Sequence, residues 1–148
     1  MARAVQPGAG DTSHVVSENL DVVRSILACW ERGELMPEQW SHWADPEIEF
    51  VTVGGPEPSS HSGLAEAGPR IEAFLDLWED YRVQADEYRE LDGERVLVLT
   101  RQGGRGKGSG VEIEQPRASL FYVRGGKVTR RVNYWDRDGA LADLGLEG

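Results

Sequence analysis

Histidine is the side chain whose charge changes near neutral pH, and this sequence carries three, His14, His42 and His61. His61 lies in a turn-rich stretch after a strand-like segment. It is the best placed of the three for acid–base work, and the competing reading is an ordinary exposed loop side chain. His42 stands between Trp40 and Trp43 and reads as packing, and His14 falls in the N-terminal tail. Their spacing matches no metal-ligand pattern and Cys29 is the single cysteine, so neither a zinc site nor an internal disulfide is expected. The run Gly103-Gly104-Arg105-Gly106-Lys107-Gly108-Ser109-Gly110 raises the question of phosphate binding. It fails on chemistry. Gly108 follows Lys107 where a phosphate-cradling loop needs Ser or Thr, Ser109 takes the place of the third glycine of a dinucleotide turn, and no helix follows. With Arg101, Arg105 and Lys107, the run reads as a mobile basic hairpin tip, able to act as a flap or to draw an acidic group. Trp30, Trp40, Trp43 and Trp78 sit at helical spacing and read as core, whereas Trp135 falls on a strand and has the better claim to touch a ligand.

The elements that position these residues run helices first, strands last. Leu20, Val23, Leu27 and Trp30 step by 3, 4 and 3, with Val22, Ile26 and Cys29 widening the stripe. Ser17 is the expected N-cap of this helix and Gly33 its close. Pro37 opens a short helix that stops by Asp45, ahead of Pro46. Residues 48–53 read as a strand, and 54–63 as a loop or irregular hairpin. A second helix follows, with Pro69 near its start and Ile71, Phe74, Leu75 and Trp78 on one side. Strands are expected at 82–91, 95–102, 111–123 and 127–135, joined by links too short for parallel crossovers. A short helix at 139–144 completes an α+β chain with a flexible tail at 1–14 and a single domain at 15–148.

A chain of 148 residues is long enough to bury a core without a metal or disulfide staple. Lys plus Arg number 16 against 26 Asp plus Glu, a net charge of −10 that repels nucleic acid and anionic membranes. No apolar run is long enough for a membrane span, and the N-terminus lacks the apolar segment of a signal peptide. A cytoplasmic protein is the expectation, consistent with the lone cysteine.

Three further stretches carry a family resemblance. Gly125-Gly126-Lys127-Val128-Thr129 leads to Asn133-Tyr134-Trp135-Asp136-Arg137 and then Ala140-Leu141. Upstream stand Trp43-Ala44-Asp45-Pro46-Glu47-Ile48-Glu49-Phe50 and His61-Ser62-Gly63. Together, over roughly residues 18–146, these resemble SnoaL-like proteins of the NTF2-like superfamily. The resemblance implies a cone in which a curved antiparallel sheet wraps around the N-terminal helices and encloses an apolar pocket. It also implies a homodimer through the sheet and a small-molecule ligand, with no cofactor.

Enzymes of that family place a carboxylate in the cone, where burial raises its pKa for proton transfer. Ketosteroid isomerases carry theirs at the end of the first strand, where this chain has Phe50-Val51-Thr52. Limonene epoxide hydrolases carry an inward Asp where this chain has Asn133, and their partner Arg and Asp fall near Thr100 and Gln102. Amides orient a water or a carbonyl but do not act as its general base. Strand parity offers two arrangements. Either the apolar set Ala118, Leu120, Tyr122, Val132 and Tyr134 faces the helices, or the set Arg117, Ser119, Phe121, Thr129, Arg131, Asn133 and Trp135 does, as the family alignment implies. In the second case Arg117 needs a partner such as Glu49, Glu112 or an anionic ligand. The implied site has His61, Gln102, Arg117 and Asn133 as polar candidates for catalysis, with Phe50, Phe121 and Trp135 as walls. Three functions follow: a cofactor-free isomerase, lyase or cyclase acting on an apolar or polyketide-like molecule, a non-catalytic ligand-binding module, or a dimeric scaffold.

Overall fold

The computed structural model describes residues 7–56 and 58–146, with side chains from Glu18 onward. Helix α1 (Pro7–Glu31) buries Val23, Ile26, Leu27 and Trp30, the face that its apolar spacing predicts. Of the tail expected over 1–14, residues 1–6 lie outside those described, and α1 is already helical from Pro7, ahead of Ser17. The apolar stripe begins only at Leu20, so periodicity offers no handle on the earlier turns. Gly33, at φ +89°, turns the chain into a 3-10 helix at Pro37–His42.

Strand β1 (Ala44–Val53) starts earlier than expected and runs through Pro46. The loop after it returns as a short strand, β2 (Ser59–Ser62), so His61 stands on a strand at the sheet edge and not in a loop. Helix α2 (Leu64–Leu75) holds Pro69 in its interior, and Trp78 opens strand β3 (Trp78–Glu90) instead of extending the helix. A turn in which the Leu77 N–H reaches the Phe74 carbonyl ends the helix, so the helical spacing of Trp78 is a coincidence. Strands β4 (Arg95–Gly106), β5 (Glu112–Arg124) and β6 (Lys127–Tyr134) follow, then helix α3 (Arg137–Leu144).

The six strands lie in the order β2-β1-β6-β5-β4-β3. All neighbours are antiparallel except β1 and β6, which pair in parallel. That pair escapes the short-link argument, because α2 and four strands separate β1 from β6 in the chain. Two bulges on β3 bend the sheet, and the first holds Asp80 at φ +59°. Gly103 and Gly104 make room for this bend. A Cβ on Gly104 would sit 2.9 Å from the Tyr81 Cα, and one on Gly103 would sit 1.8 Å from the Ile113 carbonyl oxygen. Half of the glycine-rich run is strand, and Gly103 and Gly104 within it are packed too closely for side chains.

The two faces of the sheet are both covered. One packs on α1 and the 3-10 helix; the other carries Leu97, Leu99, Ala118, Leu120, Val132 and Tyr134 beneath Ala140, Leu141 and Leu144 of α3. The resemblance implies a homodimer through the sheet; in this chain the apolar sheet face is covered by its own α3. Asp136 caps α3 by accepting from the Gly139 N–H at 2.6 Å, and Gly145 closes it at φ +70°. The Tyr134 hydroxyl donates to Asp143 at 2.6 Å.

Arg137 fastens α3 to the sheet by donating to the Thr100 and Arg117 carbonyls and, at 2.6 Å, to Asp86. Hydrogen bonds from Arg101 and then Arg137 hold the Asp86 carboxyl below its usual range, against burial. A depressed pKa stabilises the fold above the unfolded carboxylate's value of about 3.9, and that contribution disappears as pH falls through the lower folded value. The melting temperature is accordingly expected to drop on acidification below about pH 4, and Asp86→Asn to flatten that drop while lowering stability at neutral pH. Calorimetry of both proteins from pH 7 to pH 2 checks this, and parallel pH profiles would refute it.

Candidate functional site

Ladder register decides which side chains share the concave face. His61, Phe50, Arg131, Phe121 and Val96 stand opposite one another across β2, β1, β6, β5 and β4. Beside them runs a second row, Thr52, Asn133, Ser119 and Val98, and beyond it Arg117 lies opposite Thr100. Phe50, Phe121, Val96 and Val98 pack into the core cluster of α1, so both rows face the helices. The polar parity therefore lines the cone, and the apolar parity lies under α3.

The deep end of the cone is aromatic. Trp40 lies 5.8 Å from Trp30 and 5.1 Å from Trp43, with Phe50 5.4 Å from Trp40 and Phe121 6.0 Å from Trp30. Over this floor sits the Arg131 guanidinium, 4.7 Å from the Trp30 ring centre and 5.8 Å from that of Phe121. Trp30, read from its spacing as core alone, also carries this cation. At the other end Tyr81 meets Phe74 at 5.2 Å and Trp78 at 5.3 Å. Trp135 is 39% exposed, with the Arg117 guanidinium 3.7 Å from its ring centre and its carbonyl taken by Arg117. Gly55, at φ +74°, lies so close that a Cβ there would fall 2.5 Å from the Trp135 ring.

Two hydrogen-bonded chains run between these ends. The Tyr81 hydroxyl donates to Gln102 Oε1 at 3.0 Å, and Gln102 Nε2 donates to Thr100 Oγ1 at 3.0 Å. Arg131 donates to Ser119 Oγ at 3.1 Å, which donates to Asn133 Oδ1 at 3.3 Å. Burial pushes the Arg131 pKa down to about 10, opposed by Tyr81, and burial also lowers that of Arg117. Burial raises the Tyr81 phenol, although the charges of Arg117 and Arg131 pull it the other way. A neutral phenol and two guanidiniums are the ionisable groups of this chain of contacts.

The expected candidates divide. Asn133, Phe50 and Phe121 come together in the cone, Arg117 and Trp135 pair at its end, and Gln102 lies beyond the Arg117 row, bonded to Tyr81 and Thr100. His61 is kept from Arg131 by the intervening Phe50, and its Nδ1 lies 3.5 Å from Glu66. Neither carboxylate expected beside Arg117 is there. Glu112 pairs with Arg82 and Arg105, and Glu49 is exposed on β1. The basic hairpin tip is likewise neutralised, Arg101 by Asp86 and Glu114 and Arg105 by Glu112. Arg131, Ser119 and Tyr81 share the concave face without being among the expected site candidates. Arg131 and Ser119 do stand in the polar parity set, in phase with Asn133 and Arg117. Among the described residues no group of His, Cys, Asp and Glu is placed to hold a metal ion, and no helix is long and apolar enough to cross a membrane.

No family model and no curated protein matches the chain. Solved structures do. A protein from Jannaschia sp. CCS1 assigned as a SnoaL-like polyketide cyclase is 17% identical, with a TM-score of 0.69 over 97% of this chain and 95% of that one. A protein with a ketosteroid isomerase-like fold from Catenulispora acidiphila, solved with trimethylamine, is 20% identical, with a TM-score of 0.66 over 85% and 93%. TerC, co-crystallised with polyporic acid, is 18% identical, with a TM-score of 0.67 over 86% and 97%. These likenesses span nearly the whole of each chain and agree with the curved sheet wrapped on α1: the chain has the NTF2-like cone fold of SnoaL-like and ketosteroid isomerase-like proteins.

Proposed function

We propose that the cone binds a small organic molecule and holds it by recognition instead of converting it by proton transfer. The observation that carries this is the chemistry of the lining. Its polar groups are Tyr81, Thr100, Gln102, Arg117, Ser119, Arg131 and Asn133, and the buried polar residues among those described include no carboxylate. Amides, hydroxyls and guanidiniums fix the orientation of a ligand against aromatic walls. Two proteins of the same fold were crystallised with small molecules, which supports a ligand in this one.

A second reading, a cofactor-free isomerase, lyase or cyclase on an apolar or polyketide-like substrate, draws support from Tyr81. Its hydroxyl lies in the field of both Arg117 and Arg131, a setting suited to a developing enolate. That same proton is already donated to Gln102.

Native mass spectrometry of protein purified gently from its own cells distinguishes the two. Binding predicts a retained mass that denaturation releases and that is recovered unchanged after incubation with the refilled protein. Turnover predicts that the recovered compound differs from the one supplied. An empty protein that takes up nothing from an extract would overturn both.

A further inference from the structure

Arg131 presents a cation without a counter-ion. Its guanidinium lies over the Trp30 ring, next to that of Phe121, and donates to Ser119, while its Nε is shielded from solvent and has no partner. The one ionisable group whose charge acts on it is the Tyr81 phenol, and Tyr81 in turn feels Arg117 as a second positive charge. Arg117 spends its hydrogen bond on the Trp135 carbonyl and feels the Asp136 carboxylate, whereas no described carboxylate pairs with Arg131. Donors outnumber acceptors as well. The Trp30 and Trp40 indole N–H groups are buried without partners, and Asn133 uses only its oxygen, leaving its Nδ2 hydrogens free. Arg131, Asn133, Tyr81 and Arg117 all keep part of their surface accessible, so the site can be reached.

A shielded cation with spare N–H groups is satisfied by an acceptor that brings negative charge. A guanidinium matches the two oxygens of a carboxylate, and the aromatic side chains around Arg131 suit a flat body attached to it. We propose that the ligand of the cone is a small planar organic carboxylate, with its charge on Arg131 and its ring against the partly accessible Phe50, which stands opposite Arg131 in the ladder. This rests on the binding reading above and narrows it to one class of ligand. The rival account is that Arg131 merely fills the core by stacking on Trp30.

Isothermal titration calorimetry with benzoate, benzamide and benzylammonium at neutral pH and low salt decides between them. Benzoate is expected to bind at least about tenfold more tightly than benzamide, with benzylammonium weakest. Arg131→Met is expected to bring benzoate down to the level of benzamide. Ligand-free Arg131→Met is also expected to melt at or above the wild-type temperature, because an uncompensated charge has been removed. Arg131→Lys, which keeps the charge but loses the fork, is expected to retain the discrimination against benzylammonium with weaker benzoate binding. Equal affinities for benzoate and benzamide would overturn the charge assignment and leave the cone as a binding site. A benzoate preference that survives Arg131→Met, or a lowered melting temperature with unchanged affinities, would do the same in favour of core filling. No binding of any probe would overturn the carboxylate class and the binding reading together.

Discussion

Trp30→Ala is expected to lower the unfolding free energy by about 3–5 kcal/mol, the range for truncating a large buried aromatic. Trp30 is 3% exposed and is the point where α1 meets the rest of the cone. Its ring lies within 6.0 Å of Trp40, Trp43 and Phe121, and it forms the floor beneath the Arg131 guanidinium. Removing it opens a cavity among side chains held from α1, the 3-10 helix and β5, which cannot all close toward the gap at once. It also takes the π-face from Arg131, so ligand affinity falls with stability. Trp30→Phe restores part of the packing and should recover a little over half of the loss. Guanidinium denaturation of the three proteins gives the measure, and a midpoint unchanged in Trp30→Ala would show that the aromatic cluster is not a cooperative core.

Cutting the chain after Asp136 is expected to cost on the order of 5 kcal/mol and to cause self-association. The cut removes Ala140, Leu141, Leu144 and Leu146, which cover Leu97, Leu99, Ala118, Leu120, Val132 and Tyr134. A fully buried aliphatic side chain contributes about 1.5–3 kcal/mol, so losing several offsets most of a domain's stability. The polar ties go as well, both the Arg137 bond to Asp86 and the Tyr134 bond to Asp143. What remains is an exposed apolar sheet face, which pairs with another copy or aggregates. Sedimentation velocity at several concentrations should show higher species for the truncated chain than for the intact one. A truncated chain with unchanged size distribution and denaturation midpoint would mean that α3 contributes neither cover nor stability.

Much of the fold is legible in the residues themselves. Local rules place the α1 apolar face, the helix after Pro37 and the short links between the last strands, because periodicity and turn chemistry act over a few residues. The α+β order with a curved sheet follows from the same patterns together with the family resemblance. Errors arise where a local pattern has two solutions. Trp78 keeps helical spacing yet begins β3, and the glycine run reads as a loop although Gly103 and Gly104 are glycines so that β3 and β5 can press on β4.

The site divides along the same line. By itself the sequence determined that the two strand parities differ in polarity, and the resemblance implied that Asn133 and Gln102 stand where limonene epoxide hydrolases carry acids. Which parity faces the helices was undetermined, because alternation defines two faces without naming the core, and here both are covered. Only the tertiary structure decided that α3 takes the apolar face, that β1 lies parallel to β6 so that Phe50 meets Arg131, and that Arg131 is left without a carboxylate. Each depends on contacts between residues tens of positions apart. A buried charge is defined by its surroundings, and the surroundings of Arg131 come from β5, β6 and α1, which no local pattern joins.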